Sequence, residues 1–473
     1  MTDLVSNSLQ EIGRSFDEEA LPSLSEFIRI RNLSPAFDPE GEATANTHAA
    51  LEHVANWAAD HAPDGSAIKT LTHVEHAPLL VIDIPGTVDG TVICYGHLDK
   101  QPADSDWSAA ESGYTPVLRD GKLFGRGGVD GGFAPYCYVS AIATLDRLGI
   151  AHPRCIIILE TTEKSHSIHL PRYFPDLRAA CDTPDLIIAL DSICADYDRI
   201  WYMQGYRGVI DGNLTIAALD KDAHSGAAGM APSTVGIGME LLNRVCDLPS
   251  GLMKLDSFRA QKPRHLTTGG AETDAIAGRY FLRSAGVTRD IPTITDDPAA
   301  AASLPVWHSS LTIAGIQGLS STNLTGGVLP SEVTIKIAVR TPPGHDSVSA
   351  AVDLEEALVA DPPLNAAVDF SPSSILSGWR AGELPSWLKT SLDDASRTFF
   401  GNAATGWSIG GAYPEIEIIA QEFEDVPILM TGVQGPDSNF QDANESLDIP
   451  AAHKMTASIA KIFADFAGSS HRV

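Results

Sequence analysis

The chain has 473 residues, of which 44% are apolar and 20% charged, and this composition is typical of a folded globular protein of roughly two to three domains. It has 61 acidic and 32 basic residues, so its formal charge of −29 repels nucleic acid and anionic membranes, and we expect neither as a partner. The six cysteines form no CxxC pair, and no apolar stretch approaches about 20 residues, so we expect a cytoplasmic protein with reduced thiols.

The first half of the chain alternates between helical and strand-like patterns. Apolar residues recur at helical spacing over residues 7–31 and 45–61, and a third helix-like segment, FAPYCYVSAIATLDRLG, follows later. Four short apolar runs read as strands: VEHAPLLVIDIPG, GTVICYGHLD, PRCIIILETTE and PDLIIALDS. Such alternation predicts an α/β domain with a mixed, largely parallel sheet flanked by helices.

The pattern changes after residue 208. A loop and a helix, HSGAAGMAPSTVGIGMELLNRV, precede an irregular stretch and the strand-like segments SLTIAGIQG and EVTIKIAVRTPPG. This grouping predicts an inserted α+β domain over residues 209–380. Helix, strand and helix patterns return at 384–400, 426–433 and 451–468. We therefore expect residues 1–208 and 381–473 to form one discontinuous domain.

Polar residues follow the strands of the first domain. His97 and Asp99 end one strand, and Asp191 ends another. Asp130 lies in GRGGVDGG, and Glu163 and Lys164 lie in ETTEK. One histidine with several carboxylates at strand ends matches the ligand preferences of Zn²⁺ or Mn²⁺, and a nearby carboxylate could act as general base. The pattern therefore predicts a metal-dependent enzyme.

Several motifs in chain order resemble one known family. They are YGHLDKQPADSDW, DGKLFGRGGVDGG, LETTEKSHS, ALDSICADYDRIWYMQGYRG, DAHSG and NLTGGVLPSEVTIKIAVRTPPGHD. Together they resemble the carnosinase-type dipeptidase branch of the metallopeptidase family that includes carboxypeptidase G, aminoacylases and succinyl-diaminopimelate desuccinylase. The resemblance implies a catalytic domain with a dinuclear zinc or manganese site, and an inserted lid domain that also forms a homodimer.

The resemblance also implies roles for individual residues. His97 and Asp191 match ligands of the first metal, and Asp130 matches the aspartate that bridges two metals. Asp99 matches a residue that orients the histidine, and Glu163 matches the general base.

Two further matches lie in the inserted domain. His224, in DAHSG, matches a histidine directed toward the oxyanion, in some members across the dimer. Arg340 matches an arginine that grips the substrate carboxylate. The implied substrate is a small molecule or short peptide.

The chain departs from this family at the second metal. Lys164 stands where a metal-binding glutamate is expected, and Gln441, in QDANE, stands where a histidine is expected, so we assign Gln441 to substrate binding instead. The family's DDKG reads DGGF at 130–133, and its REGG-like turn reads SIGG at 408–411. A lysine ammonium repels a metal ion but can neutralise carboxylates. We therefore predict that Lys164 pairs with Asp130 and Glu163 and replaces the second ion.

Three functional hypotheses follow. The first is hydrolysis of a dipeptide or N-acyl amino acid with one Zn²⁺ or Mn²⁺ on His97, Asp130 and Asp191. The second is a metal-free epimerase, cyclase or lyase that uses Glu163 and Lys164 as an acid–base pair, which requires a lowered lysine pKa. The third is an inactive peptide-binding protein. His166 and His169 are alternative candidates for metal ligands.

Overall fold

The computed structural model describes residues 10–41, 44–103, 106–181, 183–260, 263, 266, 270–286, 294–295, 297–321 and 327–469. Residues 7–9 of the first predicted helix and 323–326 of the NLTGG motif lie outside these ranges. The described chain divides into two compact units. The first contains 1–203, 381–406 and 414–473, and the second contains 204–380 and 407–413. The first boundary thus lies at 204 where we had expected 209, and 407–413 groups with the second unit.

The strands and helices are numbered in chain order. The strands are β1 (Ala67–Leu71), β2 (Leu79–Ile84), β3 (Thr91–His97), β4 (Val117–Arg119), β5 (Lys122–Phe124), β6 (Arg154–Glu160), β7 (Leu186–Leu190), β8 (Trp201–Tyr206), β9 (Gly208–Ala217), β10 (Ala223–His224), β11 (Ser310–Gln317), β12 (Val328–Leu329), β13 (Glu332–Thr341), β14 (Ala367–Leu376), β15 (Thr405–Ile409), β16 (Ile428–Thr431) and β17 (Ser446–Asp448). The helices are α1 (Leu21–Arg29), α2 (Thr44–His61), α3 (Phe133–Arg147), α4 (Phe174–Ala180), α5 (Thr234–Val245), α6 (Ala271–Ser284), α7 (Pro298–Trp307), α8 (Ser347–Val359), α9 (Ser386–Ala395), α10 (Pro414–Glu422) and α11 (Ile449–Gly468).

The main sheet has eight strands in the order β1-β2-β6-β3-β7-β16-β8-β15. Its centre is parallel, because β3 pairs in parallel with β6 and β7, and β16 pairs in parallel with β7. The antiparallel pairs β1-β2, β2-β6 and β8-β16 make the sheet mixed. The α/β fold and the four predicted strand runs are thus confirmed, as are the helices α2 and α3.

The central strands are apolar along nearly their whole length, because helices cover them. All residues of β7 and six of seven in β6 are buried. Thirteen residues of α3 and twelve of α11 are buried, and both helices belong to the same apolar core. Since β3, β6 and β7 are parallel neighbours, their carboxyl ends lie at one edge of the sheet, where ligands bind in open α/β folds.

The second unit is built on an antiparallel sheet of order β11-β13-β9-β14. Alternate residues of β13 are buried, so one face of this sheet contributes to a core. The helices α5 and α8 pack on β9 and complete that core. The predicted α+β character of the inserted segment therefore agrees with the structure.

All six cysteines are free thiols. Five are buried, and Cys181 is half-buried. Burial raises the pKa of the Cys137 thiol to about 12. Among the described residues, no helix is both long and apolar enough to cross a membrane.

Candidate metal centre

Three of the predicted ligands converge at the carboxyl edge of the main sheet. His97 ends β3, Asp191 follows β7, and Asp130 lies in an irregular turn before α3. One ligand atom from each lies within 4.8 Å of the other two, and all three residues are buried. The Nε2 atom of His97 is 3.5 Å from Asp130 Oδ1 and 3.7 Å from Asp191 Oδ2. The strand-end reasoning therefore placed these side chains in one cluster.

The histidine ring is oriented by Asp99. Its Nδ1 lies 3.1 Å from the Asp99 carbonyl oxygen and 3.4 Å from Asp99 Oδ1, so we assign the ring proton to Nδ1. Asp99 in turn accepts the backbone N–H groups of Glu163 at 3.1 Å and Lys164 at 2.9 Å. Asp99 thus fixes both the imidazole and the short 3₁₀ turn Glu163–Ser165 that follows β6.

The donor set fits one metal ion. His97 Nε2 and Asp191 Oδ2 are buried and have no hydrogen-bond partner among the described residues. Burial and the charge of Lys164 lower the pKa of His97, but Glu163, Asp191 and Asp130 outweigh them and raise it well above its usual value. The negative field that retains a second proton on this ring also attracts a dication, which would displace that proton from Nε2 and bind Nε2, Asp191 Oδ2 and Asp130.

Lys164 points into the cluster. Its side chain is 4% exposed, and its Nζ lies 2.9 Å from Asp130 Oδ1 and 2.6 Å from Glu163 Oε2. Burial lowers the pKa of Lys164, but Asp130 and Glu163 outweigh burial and raise it well above its ordinary value. The ammonium is therefore fixed against Asp130. The metal-free hypothesis required a lowered lysine pKa, and the structure gives the opposite direction.

The two glutamates near this turn have raised pKa values. Burial, with the charges of Asp191 and Asp130, raises the pKa of Glu163 to about 7, although Lys164 and His97 oppose the shift. Burial and the Asp99 charge raise the pKa of Glu160 to about 7. The Glu160 carboxylate accepts hydrogen bonds from Tyr95, Thr162 and Ser167. The pKa of Glu163 thus lies near neutral pH. Glu160 stabilises the turn through its hydrogen bonds with Thr162 and Ser167.

Sequence reasoning missed two residues of the cluster. Gln434 Nε2 donates to Asp191 Oδ1 at 2.7 Å and lies 3.3 Å from Asp130 Oδ1. Glu415, in the first turn of α10, forms a second group of potential ligand atoms with Glu163 and Asp191. Gln434 follows β16 and could have been found by the strand-end rule that identified Asp191. Glu415 lies in the helical pattern PEIEIIAQE, which contains no signal of burial.

A buried ion pair holds the turn that carries Asp130. Arg126 Nη1 donates to Glu445 Oε2 at 2.6 Å, and the backbone N–H groups of Gly127 and Asp130 approach Glu445 Oε1 at 2.8 and 3.4 Å. Asn444 and Glu445 end the QDANE motif, and the sequence analysis gave them no role. Glu445 connects the carboxyl-terminal part of the chain to the metal-binding turn.

Three further predicted residues are His224, Arg340 and Gln441. His224 belongs to the second unit, is exposed, and accepts the backbone N–H of Gly226 on Nδ1. Arg340 lies in β13 of the same unit. Gln441 is exposed, with a φ of 63°. Their roles toward a substrate stay predictions.

The alternative ligands His166 and His169 are directed elsewhere. His166 is exposed at the end of the 3₁₀ turn. His169 accepts the backbone N–H of Ala77 at 2.9 Å and packs edge-on against His76. Neither belongs to a group of potential ligand atoms in the described part of the chain.

Comparison with known proteins finds relatives among the peptidases. Residues 204–364 match a peptidase dimerisation domain of the M20 family. Beta-Ala-His dipeptidase of Mus musculus is 25% identical over 286 residues, which cover 59% of this chain and 56% of that protein. Cys-Gly metallodipeptidase dug1 of Schizosaccharomyces pombe is 25% identical over 371 residues and 76% of each chain.

The fold is also shared with a solved structure. Human carnosine dipeptidase 1 superposes with a TM-score of 0.74 at 20% identity, covering 98% of this chain and 99% of that one. Residues 204–364 thus resemble the dimerisation domain of M20 peptidases, and the whole chain shares the α/β fold of carnosine dipeptidase 1. The mouse relative is matched over little more than half of its length, so activity and substrate are taken up as proposals below.

Proposed function

We propose that the protein is a metal-dependent dipeptidase or N-acyl amino acid hydrolase that cleaves an amide bond with one metal ion at His97, Asp130 and Asp191. The observation that carries this proposal is the buried, unpartnered pair of donors, His97 Nε2 and Asp191 Oδ2, beside Asp130. A bound Zn²⁺ or Mn²⁺ would polarise the substrate carbonyl and make water more acidic. The relatives named Beta-Ala-His dipeptidase and Cys-Gly metallodipeptidase support the substrate class.

In this proposal, Glu163 moves the proton. A pKa of about 7 lets the carboxylate take a proton from water near neutral pH and return it to the leaving amine. Asp99 positions Glu163 through the backbone N–H and holds His97 in the tautomer that leaves Nε2 free. Lys164 supplies a fixed positive charge against Asp130 and Glu163, where related enzymes are expected to hold a second ion.

The substrate assignments rest on the resemblance. We propose that Arg340 binds the substrate carboxylate and that His224 stabilises the oxyanion. Gln441 is assigned to the substrate on its sequence position. The dimerisation domain over 204–364 supports a homodimer as the working form.

Metal content and turnover test the proposal together. Protein purified without added metal or chelator should contain about one equivalent of zinc or manganese and hydrolyse a member of a panel of dipeptides and N-acyl amino acids. Asp191→Asn should lose the metal. Glu163→Gln should keep it and lose about 10²–10⁴-fold in kcat. Asp89→Asn, on an exposed loop before β3, is the control and should change neither.

A metal-free protein with full activity in excess chelator would overturn this assignment. The buried contact of 2.6 Å between Lys164 and Glu163 favours one alternative, proton transfer on a peptide-like molecule by epimerisation, cyclisation or elimination. Since the lysine stays protonated, Glu163 would be the base and Lys164 the acid. Turnover in chelator, with deuterium from D₂O in the product, would support this alternative. Tight binding of a peptide without turnover would support a binding protein.

A further inference from the structure

Glu415 is a buried carboxylate without a positively charged partner. Its side chain is 0% exposed, and both carboxylate oxygens lack a hydrogen-bond partner in the described ranges. No lysine, arginine or histidine of the described chain forms an ion pair with it within 4.0 Å. Burial, together with the charges of Glu163 and Asp191, raises the pKa of Glu415 well above its usual value. A buried charge of this kind needs a compensating group.

The carboxylate is directed at two other acids. One oxygen each of Glu163, Asp191 and Glu415 lies within 4.8 Å of the other two. Lys164 contacts Glu163 and Asp130 but forms no ion pair with Asp191 or Glu415. Asp191 Oδ2 also has no hydrogen-bond partner. The three acids therefore bring carboxylate oxygens together beside Asp191, whereas the ammonium of Lys164 contacts Asp130 and one oxygen of Glu163.

We propose that Glu163, Asp191 and Glu415 form a second cation site, which binds a hard divalent ion such as Mg²⁺ or Mn²⁺. Two ligands of one ion are separated by at most twice the metal–oxygen distance, about 4.2 Å for Mg²⁺ and up to about 5.2 Å for larger hard ions, and the three oxygens lie within 4.8 Å of one another, so binding of the smaller ions would draw them slightly together. All three ligands are carboxylates, which suit Mg²⁺ or Mn²⁺ better than a soft metal. Asp191 would then be shared with the His97 site.

This site differs from the second metal position that the family resemblance implies. That position would need ligands at 164 and 441, where this chain has lysine and glutamine. Glu415 follows the altered SIGG turn at 408–411 in the chain. A carboxylate has two oxygens with about four lone-pair sites, and Glu163 can therefore contact an ion and still exchange a proton.

Burial favours an ion over a substrate ammonium group. Glu415 is 0% exposed and Asp191 is 2% exposed, so a group attached to a larger molecule would have to reach two enclosed carboxylates. A single ion needs only the space between them. The inference does not depend on the proposed hydrolysis, because cation binding can be measured without substrate.

Manganese binding to zinc-loaded protein tests the second site. Protein with one equivalent of Zn²⁺ is titrated with Mn²⁺, and free Mn²⁺ is followed by electron paramagnetic resonance. Zinc binds nitrogen-containing sites more tightly than manganese and should stay at His97. We expect one further equivalent of Mn²⁺ to bind the wild type, with competition by Mg²⁺. Glu415→Gln should weaken this binding by at least about tenfold and keep the zinc.

The matched control is Glu417→Gln, the same substitution in the same helix but outside the cluster. It should leave manganese binding unchanged. Absence of a manganese equivalent, or equal binding in Glu415→Gln, would overturn the proposed site and indicate a permanently protonated Glu415. Weaker dipeptide binding with unchanged manganese binding would overturn it in favour of an ammonium site. Zinc content, measured separately, reports on the His97 site alone.

Discussion

At the scale of single residues, the candidate site differs from the dinuclear site that the family resemblance implies mainly in how it neutralises charge. Lys164 contributes one positive charge to a buried group that includes Asp130 and Glu163, and Gln434 adds hydrogen bonds to Asp130 and Asp191. Removing one partner of a buried ion pair leaves the other charge uncompensated, which is more costly than the net value of the pair. The lysine should therefore matter for folding as well as for function.

Replacement of the lysine by an isosteric apolar residue tests this point. Lys164→Met should lower the free energy of unfolding of the metal-free protein by about 3–5 kcal/mol, because Asp130 and Glu163 lose their cation. Urea denaturation in chelator measures the change. Lys389→Met is the control, since Lys389 pairs with Glu383 at an exposed position and its loss should cost about 0–1 kcal/mol. Equal effects of the two substitutions would contradict a buried role for Lys164.

The raised pKa of Glu160 predicts a dependence of stability on pH. The folded protein holds a proton on Glu160 up to about pH 7, whereas the unfolded chain releases it near 4.5. The folded state therefore binds more protons between these values, and stability falls by about 3 kcal/mol as the pH rises from 4.5 to 7. Above pH 7 this contribution is constant.

Glu160→Gln should remove this part of the pH dependence. The difference in unfolding free energy between wild type and variant, measured by urea denaturation from pH 4.5 to 8, should slope below pH 7 and level off above it. Glu240→Gln, on an exposed position of α5, should follow the wild type at every pH. A pH-independent difference for Glu160→Gln would show that the carboxyl group does not titrate in this range.

At the scale of elements, an irregular turn sets the geometry of the site. Asp130 has φ −94° and ψ 93°, and Gly131 has a φ of 91°. A Cβ atom on Gly131 would lie 2.5 Å from Cε1 of the His97 ring. Glycine is thus needed here for its backbone conformation and for the close approach of the turn to the imidazole. Arg126 and Glu445 hold the same turn from the other side.

Gly131→Ala should therefore displace His97. We expect zinc affinity, measured by competition with a chromogenic chelator, to fall at least about tenfold, because an orienting contact of a ligand is lost. Gly149→Ala is a matched control, since Gly149 also has a positive φ, of 65°, but no atom lies within 4 Å of the added Cβ. It should lose about 1 kcal/mol of stability and keep its zinc affinity. Unchanged zinc binding in Gly131→Ala would be inconsistent with this role.

The sequence could predict the elements that depend on local patterns. The runs ending at His97 and Asp191 were recognisable because buried parallel strands are continuously apolar and a polar residue marks their end. Asp130 lies in a glycine-rich turn; the strand-end pattern included it among the candidate carboxylates, and the family resemblance gave it the role of a bridging ligand. Gln434 contacts Asp191 across 243 residues of chain, and the burial of Glu415 follows from helix packing. Gln434 follows β16 and was within reach of the strand-end rule, whereas no local pattern signals the burial of Glu415, so Glu415 became visible only in the structure.

At the scale of the whole molecule, the second unit contains the segment that matches a peptidase dimerisation domain. Its sheet ends at β11, where Ile313 and Ile316 are 36% and 38% exposed. An edge strand with exposed apolar residues is a surface that proteins commonly cover. The charge of −29 per chain opposes association at low salt, because like charges repel over longer distances when they are not screened.

A charged residue on this edge should weaken the proposed homodimer, whose interface we place at β11. Ile316→Lys places two buried charges in a symmetric interface, one from each copy, and sedimentation velocity should show a monomer fraction that the wild type lacks at the same concentration. Val74→Lys, at an 88% exposed position of the first unit, should leave the sedimentation pattern unchanged. In both proteins, raising the salt from 10 to about 150 mM should favour the dimer. A monomeric wild type would contradict the dimer.

Chemical labelling of the six free thiols can report when the folded chain opens. A thiol reagent attacks the thiolate, and five of the cysteines are enclosed and therefore protected, whereas Cys181 is half-buried. Labelling of the folded chain should thus stop at one modified cysteine per molecule. A molecule with two or more modified cysteines is one in which a buried region has opened. Because Cys246 lies in the second unit and the other four buried cysteines lie in the first, mass spectrometry of labelled fragments can time the opening of each unit separately.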